Sequence, residues 1–368
     1  MTRERVVIAL RGSDLVDGKA VIPVSVVRRE SDILALASRR ENRSSVVLDT
    51  RAGVVVSAVL HDGEPLEVDH VRLVGPGLQL ASLTGTYSEM GRYDRQERVF
   101  GRAGQRILSA LHVGVVGAGG TGSAIVEQLT RLGVGRLTVL DDDIVTETNL
   151  TRIHQSEPRD VGRAKCEIAG RLAGDFGVAF HAVQGRVTDQ AIARELAVCD
   201  IVFGCTDDHA GRIVLARMAP RYLQMLVDVG VTIDVVGGQV VGAPCRITTQ
   251  EPGDVCLTCR GHVDLATAAA ELLTDEERCS RSVEGYVPGL GEPDPSVVSY
   301  TTLAASIAVS VMISRLFGFS HLTSSDLLVD PVTGRWSSLE RPSCPNDGCT
   351  STEIIGSGDL EPFLGLAW

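Results

Sequence analysis

Four closely spaced glycines, Gly117, Gly119, Gly120 and Gly122, follow the apolar run HVGVV and lead into SAIVEQLTRLG. Strand, tight turn and helix in that order form a nucleotide-binding fingerprint: bare backbone approaches phosphates, and the positive end of the helix favours an anion. An acidic residue is expected to end the next strand and accept hydrogen bonds from ribose hydroxyls; Asp141, about twenty residues on, closes VGRLTVL. Alone, such a loop points to a dinucleotide. The stretch DDDIVTETNLTRIHQSEPRDVGRAK at 141–165 argues otherwise, because it adds Asp143, Asn149, Arg152 and Lys165 as candidate nucleotide contacts. Two fixed cations suit a triphosphate. A further acidic point, Cys205-Thr206-Asp207-Asp208, follows the strand DIVFG. It lies at the carboxyl end of the sheet, where ligands of open α/β folds bind, and a carboxylate there can hold Mg2+. Each residue also has a plain structural reading: a packing turn for the glycines, solvated charge for Arg152 and Lys165, a helix N-cap for Asp207.

Nine cysteines are too few for a disulfide framework in 368 residues. Cys256-x2-Cys259 and Cys344-x4-Cys349 together suit a four-thiolate zinc site that pins an irregular C-terminal region to the core, the alternative being four unligated thiols. Cys166, Cys199, Cys205 and Cys245 lie in or beside apolar elements and read as small buried residues. Cys279 differs, standing in the polar loop TDEERCSRSVEGYVPGLG.

The elements that must position these groups are legible from periodicity. Candidate strands at 112–116, 136–140, 178–183, 200–204 and 225–229 alternate with helical stretches. The pattern predicts a doubly wound, Rossmann-like and mostly parallel sheet. Residues 231–249 read as a β-hairpin, and 301–316, apolar on nearly every face, as a buried helix. Residues 1–88 alternate β-branched runs (21–27, 45–48, 54–60, 71–74) with turns and predict a small β-rich domain, leaving 89–368 as the nucleotide-binding domain. A net charge of −12 argues against a general nucleic-acid or anionic-membrane binder. No apolar run approaches the ~20 residues that span a bilayer, and the N-terminus does not read as a secretory signal, so a cytoplasmic location is expected.

In order and spacing, RYDRQ at 92–96, GAGGTG at 117–122, LDDDIVTETNLTR at 140–152, VGRAK at 161–165 and CTDD at 205–208 resemble the ThiF/MoeB/ubiquitin-activating superfamily. The resemblance covers about residues 92–316 and reaches about 349 through the cysteine pairs; residues 1–88 lie outside it. It implies that Gly120 and Asp141 contact ATP, that Asn149, Arg152 and Lys165 hold its phosphates, and that Asp207 holds magnesium. It also implies a homodimer in which Arg95 reaches the partner's triphosphate. The superfamily's usual Asp-Asn is Asp207-Asp208 here, and CPNDGC is two residues wider than its usual second cysteine pair. A crossing loop with a reactive cysteine in some members makes Cys279 a candidate thioester nucleophile.

The implied activity is adenylation of a carboxylate, most simply the C-terminus of a ubiquitin-like protein, a sulfur carrier or a peptide, with release of pyrophosphate. Two rivals share parts of the pattern. A nicotinamide-dependent oxidoreductase would use the same glycine loop but has no use for Arg152, Lys165 and Asp207. An enzyme activating a carboxylate on a modified tRNA is disfavoured by the acidic balance.

Overall fold

The structure is a computed structural model that describes residues 91–273, 295–318, 325–338, 354–356, 358 and 363–366, together with the backbone of seven strands between residues 4 and 82. Those strands are β1 (Glu4–Ala9), β2 (Lys19–Pro23), β3 (Val26–Arg29), β4 (Ser45–Asp49), β5 (Ser57–Val59), β6 (Val68–Val74) and β7 (Leu78–Ser82). They form a four-stranded sheet in the order β3-β1-β6-β7 and a three-stranded sheet in the order β2-β4-β5. The apolar run at 21–27 is divided between β2 and β3, the first ending at Pro23, whose missing N–H cannot extend a ladder.

Helix α1 (Asp94–Ala110) precedes the large sheet and is kinked at Gly101, where φ is 70°. Strand β8 (His112–Val116) then enters the glycine loop and helix α2 (Gly120–Leu132), which Gly133 ends in the left-handed conformation. Next come β9 (Arg136–Asp141), two short helices α3 (Lys165–Ala169) and α4 (Ala173–Phe176), β10 (Ala179–Gln184), α5 (Gln190–Arg194), β11 (Ile201–Gly204), α6 (His209–Arg221) and β12 (Met225–Val231). A hairpin tip, β13 (Asp234–Val236) with β14 (Gln239–Gly242), leads back through β15 (Cys245–Gln250). Helices α7 (Leu265–Glu271) and α8 (Val298–Phe317) precede the final strands β16 (Asp326–Asp330) and β17 (Arg335–Ser338).

Eight strands make one sheet in the order β10-β9-β8-β11-β12-β15-β16-β17. The first five are parallel and the last three antiparallel, so the expected doubly wound sheet is present and is longer than the sequence suggested. The chain runs outward from β8 in both directions, which opens a crevice between β8 and β11 at the carboxyl ends of the strands. Strands β8 and β11 are buried at every residue, as a sheet covered on both faces requires.

One expectation needs correction. Val298–Phe317 is 20 residues long and apolar enough to cross a membrane by length and composition. Sequence reading missed this because serines and threonines interrupt the run. Here the helix packs against α2, β12 and β15, with Ala304, Ala305, Ala308 and Met312 fully buried in the main core.

Candidate functional site

The glycines at the head of α2 divide into two kinds. A Cβ at Gly122 would stand 1.7 Å from the Gly117 carbonyl oxygen, and one at Gly117, where φ is +89°, would meet the Cys205 carbonyl at 2.6 Å. A Cβ at Gly120 would press on Thr301 of α8 at 3.1 Å. These three are required by packing alone. Gly119 is not, for nothing lies within 4 Å of a Cβ built there. It is the N-cap of α2, no side chain caps the helix, and the first turn of any helix leaves its amides without intrahelical acceptors. Gly119 therefore opens a bare, positively polarised cradle that fits a phosphate.

Asp141 shapes that cradle from below. Its two carboxylate oxygens accept the N–H of Ala118 at 2.5 Å and of Asp143 at 2.9 Å. Burial raises its pKa, against the lowering effect of these amides and of nearby Lys165. The residue expected to meet a ribose thus fastens the glycine loop to β9, with lone pairs left over for a ligand. Asp143 is engaged too, accepting the Lys165 ammonium at 2.6 Å.

Arg152 sits on the loop that follows β9, and Lys165 opens α3 at its far end. Asn149 is buried and accepts the Thr146 N–H at 3.2 Å in a reciprocal capping arrangement, so its side chain shapes the turn that carries Arg152. Arg152 donates only to the Thr148 carbonyl, at 3.0 Å, and has no carboxylate partner among the described residues. The loop is tied to α2 by His154, which sequence reading passed over. Its backbone N–H reaches Ser123 Oγ at 2.9 Å, and its ring spans Glu127 at 3.1 Å and Thr302 of α8 at 3.0 Å. Farther along, buried Asp160 takes both oxygens to the Arg171 guanidinium at 2.6 Å, closing the segment between Arg152 and Lys165.

Across the crevice, the adjacent acids after β11 have separate tasks. Asp208, not Asp207, is the N-cap of α6 and accepts the Gly211 N–H, while Glu271 of α7 accepts that of Ala210 at 2.8 Å. Asp207 is exposed and has no protein partner among the described residues, as an incoming cation would need. The cap assignment considered for Asp207 is corrected, and Asp208, expected at the nucleotide, is occupied by its helix. Arg95 near the start of α1 is exposed and likewise unpaired among the described residues.

Three of the described cysteines, Cys166, Cys205 and Cys245, are poor nucleophiles. Burial pushes the thiols of Cys166 and Cys245 up to about 11 and that of Cys205 higher still. Cys256 and Cys259 lie half-buried on a turn in which the Arg260 N–H donates to the Cys256 carbonyl at 3.1 Å. The Arg260 side chain anchors that turn to Asp326 of β16 at 2.5 Å and to the Val255 carbonyl at 2.8 Å. The arrangement fits half of a thiolate site. Cys344, Cys349 and Cys279 lie outside the described residues, and among those described no cluster of three or more His, Cys, Asp or Glu could hold a metal.

The ThiF family model matches residues 93–351. The chain is 30% identical over 208 residues to the SAMP-activating enzyme E1 of Haloferax volcanii, covering 55% of this chain and 71% of that one. It is 37% identical over 128 residues to the molybdopterin-synthase adenylyltransferase of Salmonella typhimurium, covering 34% of this chain and about half, 51%, of that enzyme. In fold it is similar to E. coli MccB crystallised with MccA-N7isoASN, at a TM-score of 0.55 and 19% identity over 71% of this chain and 76% of that one. The chain belongs to the ThiF family and is an E1-like, ATP-dependent adenylating enzyme.

Proposed function

We propose that the enzyme adenylates the C-terminal carboxylate of a ubiquitin-like protein, a sulfur carrier or a peptide. The observation that carries this reading is the uncapped cradle at Gly119, with Arg152 on one side and Asp207 on the other, the first without a carboxylate partner and the second without a protein partner among the described residues. A carboxylate oxygen attacks the α-phosphorus of ATP as the bond to the bridging oxygen breaks, and pyrophosphate leaves with the electron pair. No general base is needed, since the attacker is already ionised at neutral pH. Attacker and target are both anionic, so fixed cations that neutralise and align them carry most of the catalysis. Arg152 and Lys165 do this within the subunit, and Arg95 completes the partner's site in a cytoplasmic homodimer. Asp207 would hold Mg2+, which adds positive charge at the phosphates. Cys256 and Cys259, with Cys344 and Cys349, would hold a structural Zn2+.

The test is isotope exchange between pyrophosphate and ATP, with purified carrier proteins and peptides supplied in turn. Exchange that depends on a free carboxylate terminus and vanishes when that terminus is amidated supports the reading; exchange with none of them refutes it. Cys279 enters as an acceptor of the activated acyl group. A thiol-sensitive adduct with an adenylated carrier, lost in Cys279→Ala while exchange persists, is the expected sign, and its absence from the wild type ends the reaction at the adenylate.

A further inference from the structure

Asp228 lies on β12, level with Gly204 of β11, with its side chain fully buried. Two arginines from different elements converge on it. Arg212, in the first turn of α6, places Nε 3.3 Å from one carboxylate oxygen; Arg246 of β15 donates to the other at 2.7 Å. Their side chains keep 12% and 21% of their surface, so neither arginine is wholly enclosed. Both lean over the backbone of Gly230, where a Cβ would stand 3.5 Å from one and 3.8 Å from the other. Neither arginine has a second carboxylate partner among the described residues, so the cluster retains one positive charge. The Nε of Arg246 is buried without an acceptor. An uncompensated charge this enclosed is costly, and a counter-anion relieves the cost.

The position of the cluster says which anion. Along the carboxyl rim of the sheet, Asp141 and Lys165 follow β9, the glycine cradle follows β8, Asp207 follows β11, and the two arginines flank β12. Neighbouring strands lie about 4.8 Å apart, so the cluster stands one strand beyond Asp207, on the side away from the adenosine end of the crevice. We propose that Arg212 and Arg246, braced by Asp228, form the subsite that receives the carboxylate about to be adenylated, an inference that rests on the adenylation reading above. A guanidinium fork binds a planar carboxylate through two hydrogen bonds and gives an amide or alcohol no charge to answer. One oxygen stays on the arginines while the other forms the bond to phosphorus, after which the retained oxygen is the carbonyl of the mixed anhydride.

The test uses three adenosine ligands on the full chain, by calorimetric titration: ATP, 5′-O-sulfamoyladenosine, and its N-acetyl derivative, which adds the acyl oxygen of the adenylate. Wild-type protein should bind the acetyl compound about tenfold more tightly than the parent, the scale of one charge-assisted hydrogen bond. In Arg246→Gln that preference should fall to near unity while the Kd for ATP moves by no more than about twofold, and Arg246→Lys should keep part of it. A wild type that binds ATP without preferring the acetyl compound overturns the subsite. So does an Arg246 variant that keeps the preference, or one that weakens all three ligands equally with a lowered melting temperature. Wild-type protein that binds none of the three ligands removes the adenylation reading, and the inference with it.

Discussion

The Lys165 ammonium stands 2.6 Å from the Asp143 carboxylate, with the lysine side chain 11% exposed and the aspartate 65% exposed. The cation is held in place by a partner that water already solvates, so a triphosphate can take over the ammonium and leave Asp143 to solvent at little cost. Lys165→Ala and Arg152→Ala should each lower ATP–pyrophosphate exchange by at least about a hundredfold, the usual loss when one preorganised charge contact to the transition state is removed. Melting temperatures should hardly move. Unchanged exchange in both variants would remove these residues from the phosphates.

The adjacent acids after β11 should separate cleanly. Asp208→Ala deletes the N-cap of α6 and should lower stability by roughly 1 kcal/mol, or about 2–4 °C in melting temperature for a domain of this size. Asp207→Asn should leave the melt alone and raise the Mg2+ concentration needed for half-maximal exchange. A melt lowered by the Asp207 change, or a magnesium requirement shifted by the Asp208 change, would reverse the assignment.

How far this division was legible can be judged from the same pair. The motif CTDD announced a polar end to the fourth strand, but which carboxylate turns back onto its helix is decided by backbone dihedrals that spacing does not encode. The parallel sheet was readable because five apolar runs alternate with helical stretches. Strands β16 and β17 were not, since both are short and β16 joins the sheet through a strand some eighty residues earlier, with β17 added beside it. Likewise Asp141 was visible as a residue at the right distance from the glycines. Its two bonds to loop amides were invisible, because a carboxylate that binds ribose and one that clamps a turn look alike in sequence. Arg246 and Asp228 gave no motif at all; they meet only through the antiparallel register of β12 and β15.

Arg95 offers a test of shared sites. Mixing Arg95→Ala protein with Asp207→Ala protein should restore part of the activity, because one of the two sites in a mixed dimer has both residues intact. No recovery after subunit exchange has been demonstrated would place Arg95 outside the partner's site.

Acid should loosen the cation-bearing segment through Asp160. The two hydrogen bonds from Arg171 hold its pKa below the ordinary carboxylate value, outweighing its desolvation. A depressed native pKa stabilises the fold fully above the unfolded value of about 3.9 and loses that contribution as pH falls through the lower native value. Asp160→Asn should therefore destabilise the protein at pH 7 and flatten the loss of stability below about pH 4, read from denaturation midpoints between pH 7 and 2.5. Parallel curves for wild type and variant would contradict this.

Metal analysis of protein purified without chelator should find one zinc per chain, falling to near zero in Cys256→Ser. Because Arg260 and Asp326 anchor the first cysteine turn independently, chelation should leave hydrogen exchange at residues 256–262 close to that of the loaded protein. Zinc-free protein from such a preparation would dismiss the site.

The apolar helix α8 has a consequence for how the chain is made. Its partner α2 is synthesised long before it, so between residues 132 and 298 a translating ribosome leaves the outer face of α2 uncovered for roughly ten to thirty seconds, at about 5–20 residues per second. The strand that cradles the nucleotide loop is therefore complete while the helix that supports Gly120 through Thr301 does not yet exist. A nascent chain in that interval carries a sticky surface and an unsupported loop together. Its yield in cells should depend on whatever shields that surface until Val298–Phe317 emerges and covers it.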